Sequence, residues 1–350
     1  MNISKVEKND LNYICYNSNV NLLKFSGKTI LVTGATGMIG REIVLSILTY
    51  NNYIDKPTII AIVRNLSKAK KIFGEENSNI KYVVSDITMI KEINYDVDYI
   101  IHCASLTASI DFLKRPVDVS KTMINGTINM LELAVQKNVD GFVYLSSMET
   151  YGTPQNDNLI MENSGCNIDT MNVRSCYPEA KRMCESLCSS YHAQFGVPVT
   201  VGCLTQTFGP GVSYNDTRVF AEFARCAIEG KDIVLHTPGN TKRNYLYLSD
   251  AVTAIFTLLL NGKSGEKYNI ANSKIYCSIK DMALIVAKNI TNDKINVIVE
   301  TCPVDRYWYA PELHMNLNTE KIKKLGWNPH MDLKEMYFNL CEDMKSSKNL

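Results

Sequence analysis

Tyr177 and Lys181 are the residues of this chain whose types and spacing most directly suggest chemistry. They lie four positions apart, and on a helix this spacing places a phenol and an ammonium on the same face. A nearby cation stabilises the phenolate, so we expect the pKa of Tyr177 to fall from about 10 toward the working pH. A tyrosine of this kind can take a proton from a substrate hydroxyl.

A glycine-rich turn near the N-terminus suggests a second component of the same chemistry. Gly34, Gly37 and Gly40 are spaced three residues apart, between a β-branched run at 28–33 and a helical pattern at 39–50. The first glycine allows a sharp turn, the second lets the backbone approach a pyrophosphate, and the third lets helix and strand pack closely. Amides at the helix N-terminus would bind the phosphates, although the spacing differs from the G-x-G-x-x-G of long-chain dehydrogenases. Together with an activated tyrosine, this turn indicates hydride chemistry at a carbinol carbon.

Short apolar strands alternate with helices through the first 205 residues. This alternation is typical of a parallel sheet that is covered by helices on both faces, with ligands bound at the carboxyl ends of the strands. We therefore predict an α/β fold, a doubly wound parallel Rossmann sheet with a smaller C-terminal α/β substrate lobe. The predicted strands are 28–33, 58–63, 80–84, 99–103, 139–146 and 197–204, and the predicted long helices are 39–50, 116–137 and 174–195.

The pattern divides the chain into three parts. Residues 1–26 form an N-terminal extension whose role the sequence does not indicate, and residues 27–205 form the dinucleotide-binding Rossmann domain. After about residue 206, Gly, Pro and Asn become more frequent, and 206–350 is predicted to be a nucleotide-sugar-binding lobe. Its predicted helices are 219–229, 249–261, 279–289 and 333–345.

Composition excludes several classes of function. Of the 350 residues, 37 are Lys or Arg and 36 are Asp or Glu, which argues against a nucleic-acid-binding protein with a basic surface. No stretch resembles a signal peptide or a membrane span, so we predict a cytoplasmic protein without a membrane partner. The 11 cysteines are scattered and the 5 histidines are not grouped at metal-ligand spacing, which predicts free thiols and no metal site.

The end of the second strand bears on the identity of the dinucleotide. An acidic residue usually binds the adenosine ribose there, but this chain has Arg64, which suits a 2′-phosphate and favours NADP. The alternative, that Arg64 is an ordinary surface charge and NAD binds, stays open. Asp86 follows the third strand and can either contact the adenine or cap a loop.

Several motifs, spread from Gly27 to about Pro329, resemble the extended short-chain dehydrogenase/reductase family in its nucleotide-sugar epimerase/dehydratase branch. Two further stretches resemble the uronate decarboxylases of that branch, at 174–177 and 215–219. The branch motifs are Thr33-Gly34-Ala35-Thr36-Gly37-Met38-Ile39-Gly40, Ile101-His102-Cys103-Ala104-Ser105, Asn125-Gly126-Thr127, Leu145-Ser146-Ser147-Met148-Glu149-Thr150-Tyr151-Gly152, Tyr177 with Lys181, Thr207-Phe208-Gly209-Pro210, Arg243-Asn244-Tyr245-Leu246-Tyr247-Leu248-Ser249-Asp250 and Leu325-Gly326-Trp327.

The resemblance implies a common first step on a nucleotide-diphosphate sugar. Tyr177 removes the proton of the sugar 4-hydroxyl while hydride leaves C4 for the nicotinamide, which gives a bound 4-keto sugar. Lys181 also binds the nicotinamide ribose, and Ser147 hydrogen-bonds the reacting oxygen. The cofactor-binding positions implied are Gly34, Thr36, Gly37, Met38, Ile39, Arg64, Asp86, Ile87, Ala104, Tyr177 and Lys181.

Glu149 is the position that the resemblance makes decisive for the second step. Dehydratases and uronate decarboxylases carry a glutamate there, which can act as a general base, whereas simple 4-epimerases usually do not. Met148 lacks the proton that many 4,6-dehydratases supply from an aspartic acid at this position. Arg243 and Arg218 are the candidates for binding the substrate diphosphate or uronate.

The sixth strand departs from the branch pattern, because Cys203 replaces a usual arginine and Gln206 replaces a usual asparagine. Gln206 can still offer an amide to the sugar, although its side chain is one methylene longer. The predicted enzyme is an NAD(P)-dependent 4,6-dehydratase or uronate decarboxylase. A 4-epimerase, an NADPH-dependent keto-sugar reductase and a non-catalytic dinucleotide-binding regulator remain alternatives. The resemblance also implies a homodimer in which the long helices 116–137 and 174–195 pair across a symmetry axis.

Overall fold

The computed structural model describes residues 3–165, 167–301 and 312–348. The parts of the predicted extension and lobe at 1–2, 302–311 and 349–350 lie outside the described residues. The strands are β1 Thr29–Thr33, β2 Thr58–Val63, β3 Ile80–Val84, β4 Tyr99–His102, β5 Gly141–Ser147, β6 Leu159–Ile160, β7 Val199–Leu204, β8 Gln206–Phe208, β9 Ile233–Leu235, β10 Lys242–Tyr247, β11 Lys267–Ile270, β12 Tyr276–Ser278, β13 Val297–Val299 and β14 His314–Leu317. The helices are α1 Lys5–Asn12, α2 Met38–Thr49, α3 Leu66–Phe73, α4 Ser109–Lys114, α5 Pro116–Lys137, α6 Cys176–Phe195, α7 Val219–Glu229, α8 Leu248–Asn261, α9 Ile279–Ile285, α10 Glu320–Lys323 and α11 Leu333–Lys348.

Seven parallel strands form the main sheet, in the order β11-β7-β5-β4-β1-β2-β3. The apolar residues of β1 face helices on both sides, and Ile30, Leu31 and Val32 are completely buried. Because β1 lies between β2 and β4, the chain crosses over beside the end of β1, where a doubly wound sheet binds its ligand. The predicted α/β class and parallel sheet are confirmed.

The last strand of the main sheet was not expected from the sequence. β11 pairs with β7, and α8 packs against β5 and β7, although both elements lie after residue 206. The chain therefore enters the region predicted as the substrate lobe and then returns to the main sheet. The division at 205/206 stays a prediction.

The remaining strands form two smaller sheets beside the main one. In the described residues β12, β10, β14 and β6 follow one another, with β8 on β10, while β9 pairs with β13. A separate apolar core lies beneath them and includes Phe208, Phe220, Tyr245 and Tyr337. β8 follows directly after β7, so the chain passes from the main sheet to the second sheet at residue 205.

The N-terminal extension is an integral part of the fold. α1 contacts α2 and α11, and Leu11, Ile14 and Phe25 are buried in the core of the main sheet. Glu7 of α1 is also buried, and its carboxylate is paired with the Arg41 guanidinium of α2. Among the described residues, no helix is both long and apolar enough to cross a membrane.

Candidate active site

The glycine-rich turn has the geometry that its spacing predicts. Gly34 has a φ of +63°, and a Cβ atom there would come within 2.9 Å of the Ala104 amide nitrogen, at the end of β4. A Cβ atom at Gly40 would overlap with the carbonyl oxygen of Gly34. The first glycine therefore allows the turn, and the third allows α2 to begin directly against β1.

The start of α2 can accommodate a diphosphate. Its N-cap is Gly37, which is exposed and has no side chain that could cap the first turn. The N-terminal amides of this 12-residue helix therefore remain available to a ligand. Thr36, Met38 and Ile39 surround this position and are partly buried. Backbone amides at a helix N-terminus bind anions, so these residues fit the diphosphate of a dinucleotide.

His102, the last residue of β4, makes hydrogen-bond contacts next to this turn. Its Nδ1 lies 2.7 Å from Thr33 Oγ1, its Nε2 lies 3.2 Å from Thr127 Oγ1, and Thr33 Oγ1 accepts a 3.0 Å hydrogen bond from the Ala104 amide. Burial lowers the pKa of His102 to about 3, with a smaller contribution from the charge of Lys181. A neutral histidine with a hydrogen-bond partner at each ring nitrogen therefore links β4 to β1 and α5.

Tyr177 and Lys181 lie on the first turns of α6 and are both buried. Lys181 Nζ donates a 2.7 Å hydrogen bond to the carbonyl oxygen of Leu145 and lies 5.9 Å from the centre of the Tyr177 ring. Ser147, at the end of β5, is hydrogen-bonded to the Tyr177 phenol. The structure thus brings together the three residues predicted for proton transfer.

The expected lowering of the tyrosine pKa is not found. Burial raises the pKa of Tyr177 above its ordinary value, and the negative charge of Glu149 raises it further, while the hydrogen bond with Ser147 acts in the opposite direction. The Lys181 ammonium is bonded to a backbone carbonyl, and burial lowers its own pKa. The four-residue spacing on the helix brings the Lys181 ammonium near the Tyr177 phenol. Desolvation of the phenol nevertheless has the largest effect on its pKa.

Glu149 lies on the 3₁₀ turn 148–151 that follows β5, and it is flanked by positive charge. Burial raises its pKa, whereas the guanidinium groups of Arg174 and Arg243 lower it. Arg243 is on β10, and its buried Nε has no hydrogen-bond partner among the described residues. Arg174 precedes α6, and the sequence marks it only as part of the motif at 174–177, because a separation of 25 residues from Glu149 gives no sign that the two charges meet.

The neighbouring Met148 has mainly apolar surroundings. It is buried in a small apolar cluster, and its sulfur accepts a 3.3 Å hydrogen bond from Thr205 Oγ1. Gln206 follows on β8 and pairs in register with Tyr245 of β10, two residues after Arg243. Its side chain is half-buried.

Arg218 is engaged elsewhere. Its guanidinium makes hydrogen bonds of 2.6 to 3.1 Å to both carboxylate oxygens of Asp216 and lies over the Phe220 ring. Its role as a ligand of the diphosphate stays a prediction, which would require it to share its donors with Asp216.

Asp86 has the loop-cap role that the sequence left open. Its carboxylate accepts hydrogen bonds from the amide and the hydroxyl of Thr88, which lower its pKa, and the charge of Arg64 lowers it a little more. Both side chains are exposed beside the ends of β2 and β3. Ile87 is buried against α5, where a Cβ atom at Gly126 would come within 2.8 Å of it.

The sequence resembles known proteins over nearly its whole length. Residues 30–271 match the NAD dependent epimerase/dehydratase family. UDP-glucuronic acid decarboxylase 6 of Arabidopsis thaliana is 30% identical over 328 residues, which cover 91% of this chain and 90% of the relative. UDP-glucuronic acid decarboxylase 1 of Xenopus tropicalis is 28% identical, with 88% of this chain and 70% of the relative covered.

Solved structures of low sequence identity share the fold. A UDP-glucose 4-epimerase of Thermotoga maritima, solved with UDP-glucose, has a TM-score of 0.77 at 21% identity and covers 91% of this chain and 99% of its own. A dTDP-glucose 4,6-dehydratase of Streptomyces venezuelae, solved with NAD, has a TM-score of 0.76 at 18% identity, with 92% and 98% covered. The prediction of an NAD-dependent enzyme of nucleotide-sugar metabolism is confirmed. With its glycine turn, Tyr177 and Lys181 in place, the chain belongs to the NAD-dependent epimerase/dehydratase family.

Proposed function

We propose that the enzyme decarboxylates a nucleotide-diphosphate hexuronic acid through a 4-keto sugar. The observation that carries this proposal is that Glu149 lies close enough to two arginines, Arg174 and Arg243, for both guanidinium charges to act on its carboxylate. A site with two guanidinium groups around one carboxylate has positive charge available for a second carboxylate, which is the group that a uronate has and a neutral hexose lacks. The names of the relatives in Arabidopsis and Xenopus support the same substrate class.

Arg243 is the stronger of the two candidate ligands. An N–H group that is buried without an acceptor costs about 1–3 kcal/mol, and a substrate carboxylate or diphosphate oxygen would supply the acceptor that Nε lacks among the described residues. Arg174 is half-buried at the N-terminal end of α6, next to the turn that carries Tyr177. Both arginines are close enough to Glu149 for their charges to lower its pKa.

Met148 disfavours dehydration. Eliminating the sugar 6-hydroxyl requires a proton donor for the departing oxygen, and the thioether of Met148 has none. The Met148 side chain is buried in an apolar cluster, and its sulfur lies 3.3 Å from Thr205 Oγ1. Loss of CO₂ requires no such acid.

The side chains present can carry out the proton transfers of this reaction. Bound NAD⁺ would accept the C4 hydride as the carbinol becomes a ketone and, as NADH, would return it to C4 after CO₂ has left, so that the cofactor is regenerated. The Tyr177 oxygen can take the hydroxyl proton in its ionised form, which the hydrogen bond with Ser147 favours and burial disfavours. In the resulting β-keto acid the C5–C6 bond breaks, CO₂ leaves, and the electron pair remains as an enolate. Glu149, whose pKa is raised by burial, can hold the proton that C5 then receives.

The cofactor preference is a separate proposal. The family and the fit of the turn support NAD, while the NADP preference suggested by Arg64 stays a prediction. The carboxylate of Asp86 is close enough to Arg64 for the two charges to interact, and it would oppose a 2′-phosphate at the same place. Comparing the dissociation constants of NAD⁺ and NADP⁺ for the wild type and Arg64→Ala tests this, and a loss confined to NADP⁺ would support NADP.

A homodimer and a cytoplasmic location also remain proposals. The helices expected to pair carry exposed apolar side chains, among them Val117 on α5 and Met183 on α6, which are 61% and 47% exposed. A paired surface would cover them. Light scattering of the wild type and of Met183→Lys measures the state, and a monomeric wild type would contradict the dimer.

One assay decides among the reactions. The protein is incubated with UDP-glucuronic acid, UDP-glucose and dTDP-glucose at catalytic NAD⁺ and, in parallel, with stoichiometric NADPH, and the products are separated by chromatography and identified by mass spectrometry. We expect CO₂ loss from the uronate and no change in the neutral sugars. Loss of water would instead identify a 4,6-dehydratase, an isomer of unchanged mass would identify a 4-epimerase, and stoichiometric consumption of NADPH would identify a reductase.

A further inference from the structure

Phe112 contacts both Tyr177 and Arg174, although it belongs to none of the sequence motifs. It lies on α4, is 1% exposed, and its ring stacks on the Tyr177 ring with centroids 4.5 Å apart and an angle of 17° between the planes. The guanidinium carbon of Arg174 lies over the same ring, 5.5 Å from its centre. One side chain therefore contacts both the phenol and a candidate uronate ligand.

The backbone of α4 is fixed to the same helix as Tyr177. The Cys176 thiol lies 3.6 Å from the carbonyl oxygen of Phe112, to which it donates a hydrogen bond. α4 also contacts α5 and the 3₁₀ turn 173–175 that contains Arg174. The backbone of Phe112 is consequently fixed by the hydrogen bond from Cys176. Its ring is fixed by the apolar core that it shares with Tyr177.

We propose that Phe112 is a positioning residue of this active site: its ring fixes the plane of the Tyr177 phenol and holds the Arg174 guanidinium beside Glu149. A stacked aromatic neighbour limits rotation of the phenol about its ring axis, and a cation over a ring face is held in place by the ring quadrupole. The Arg174 part of this inference rests on the proposed function, whereas the Tyr177 part holds for any sugar whose hydroxyl is oxidised.

The test compares Phe112→Leu with a matched variant, Phe142→Leu. Phe142 lies on β5, is also 1% exposed, and belongs to the same apolar core, but its ring contact is with His102. The two substitutions remove the same atoms from equally buried sites, so a purely structural role predicts equal effects. Phe112→Tyr keeps the ring and serves as the conservative variant.

The first measurement is the rate of reduction of bound NAD⁺ in single-turnover experiments, with whichever nucleotide sugar reduces it in the wild type. We expect Phe112→Leu to lower this rate about tenfold to a hundredfold, because the phenol loses its fixed orientation. Phe142→Leu should stay close to the wild-type rate at a similar loss of melting temperature, and Phe112→Tyr should restore the rate. Equal rates in the two leucine variants would overturn the proposal.

The second measurement separates this inference from the proposed function. The dissociation constants of UDP-glucuronic acid and UDP-glucose are compared, and Phe112→Leu should reduce the preference for the uronate by about threefold while UDP itself binds unchanged. A wild type that shows no preference for the uronate would refute the decarboxylase proposal but leave the rate measurement valid. If Phe112→Leu does not fold, Phe112→Met replaces the flat ring with a flexible unbranched chain that can adapt to the space, and a wild-type rate in it would equally overturn the positioning role.

Discussion

The ammonium nitrogen of Lys181 donates a 2.7 Å hydrogen bond to the carbonyl oxygen of Leu145, two residues before Ser147. This bond attaches α6 to the carboxyl end of β5, the edge of the sheet at which ligands bind. Lys181 therefore sets the position of the helix that carries Tyr177, in addition to supplying a positive charge. Because Lys181 is buried, a substitution can remove both its charge and its hydrogen bond without changing the surface of the protein.

Lys181→Met is expected to lower the turnover rate about a hundredfold or more, since it removes the cation beside the phenol and the bond to β5. The free energy of unfolding should change by only about 1 kcal/mol, because removing a buried charge offsets the loss of one hydrogen bond. Lys28→Met is the control, as Lys28 pairs with Asp98 and Asp140 at the opposite end of the sheet. Equal activity of the two variants, measured under steady-state conditions, would be inconsistent with this role.

Glu149→Gln is expected to form NADH absorbance on mixing with substrate but to release no product, because the step after oxidation lacks its proton donor. The charge of Glu149 raises the pKa of Tyr177, so the variant should also shift the acid limb of the reduction rate toward lower pH. Stopped-flow absorbance and product analysis measure the two effects. The control is Glu179→Gln, a half-exposed glutamate of α6 paired with Arg182. A normal product yield from Glu149→Gln would show that Glu149 does not take part in the step after oxidation.

Gly40→Ala is expected to lower the free energy of unfolding by about 1–3 kcal/mol and to weaken dinucleotide binding, because the new Cβ overlaps with the Gly34 carbonyl. The displaced helix would no longer direct its first amides at the diphosphate. Gly165→Ala provides the control, since a Cβ atom there meets no atom of the described residues within 4 Å. Chemical denaturation and calorimetric titration with NAD⁺ should distinguish the two variants; indistinguishable affinities would contradict the assigned close approach.

Asp10→Asn is expected to stabilise the protein at alkaline pH. Burial raises the pKa of Asp10 to about 7, the charges of Asp250 and Glu7 contribute in the same direction, and His330 opposes them. A raised folded-state pKa means that stability is complete below about pH 4 and declines as the pH rises through 7, by up to about 4 kcal/mol. Asparagine cannot ionise, so denaturant midpoints of the variant and the wild type should agree near pH 4 and separate by pH 8.

A stability difference that does not grow with pH would contradict this assignment. Asp55→Asn, in an exposed loop of the same half of the chain, is the control and should show no separation. Asp10 is part of the buried face of α1, so the same measurement also tests whether the N-terminal extension contributes to the stability of the whole fold.

Local patterns determined a large part of this protein. The β-branched runs, the helical periodicities and the three glycines predicted six of the strands of the main sheet, the turn at residues 33–40 and the helix that carries Tyr177 and Lys181. Each depends on residues that are close in sequence, where backbone preference and burial periodicity act directly. The family followed from the same short motifs.

Only the tertiary structure decided which distant groups meet. It placed β11 on the main sheet and Phe112 against Tyr177. It also brought Arg174 and Arg243 close enough to Glu149 for their charges to act on it, and it paired Arg218 with Asp216. It also reversed the direction of the Tyr177 pKa shift, because desolvation depends on everything that packs around a group and not on the spacing of one cation. Burial and charge are sums over neighbours brought in by the fold, and a one-dimensional pattern does not contain that sum.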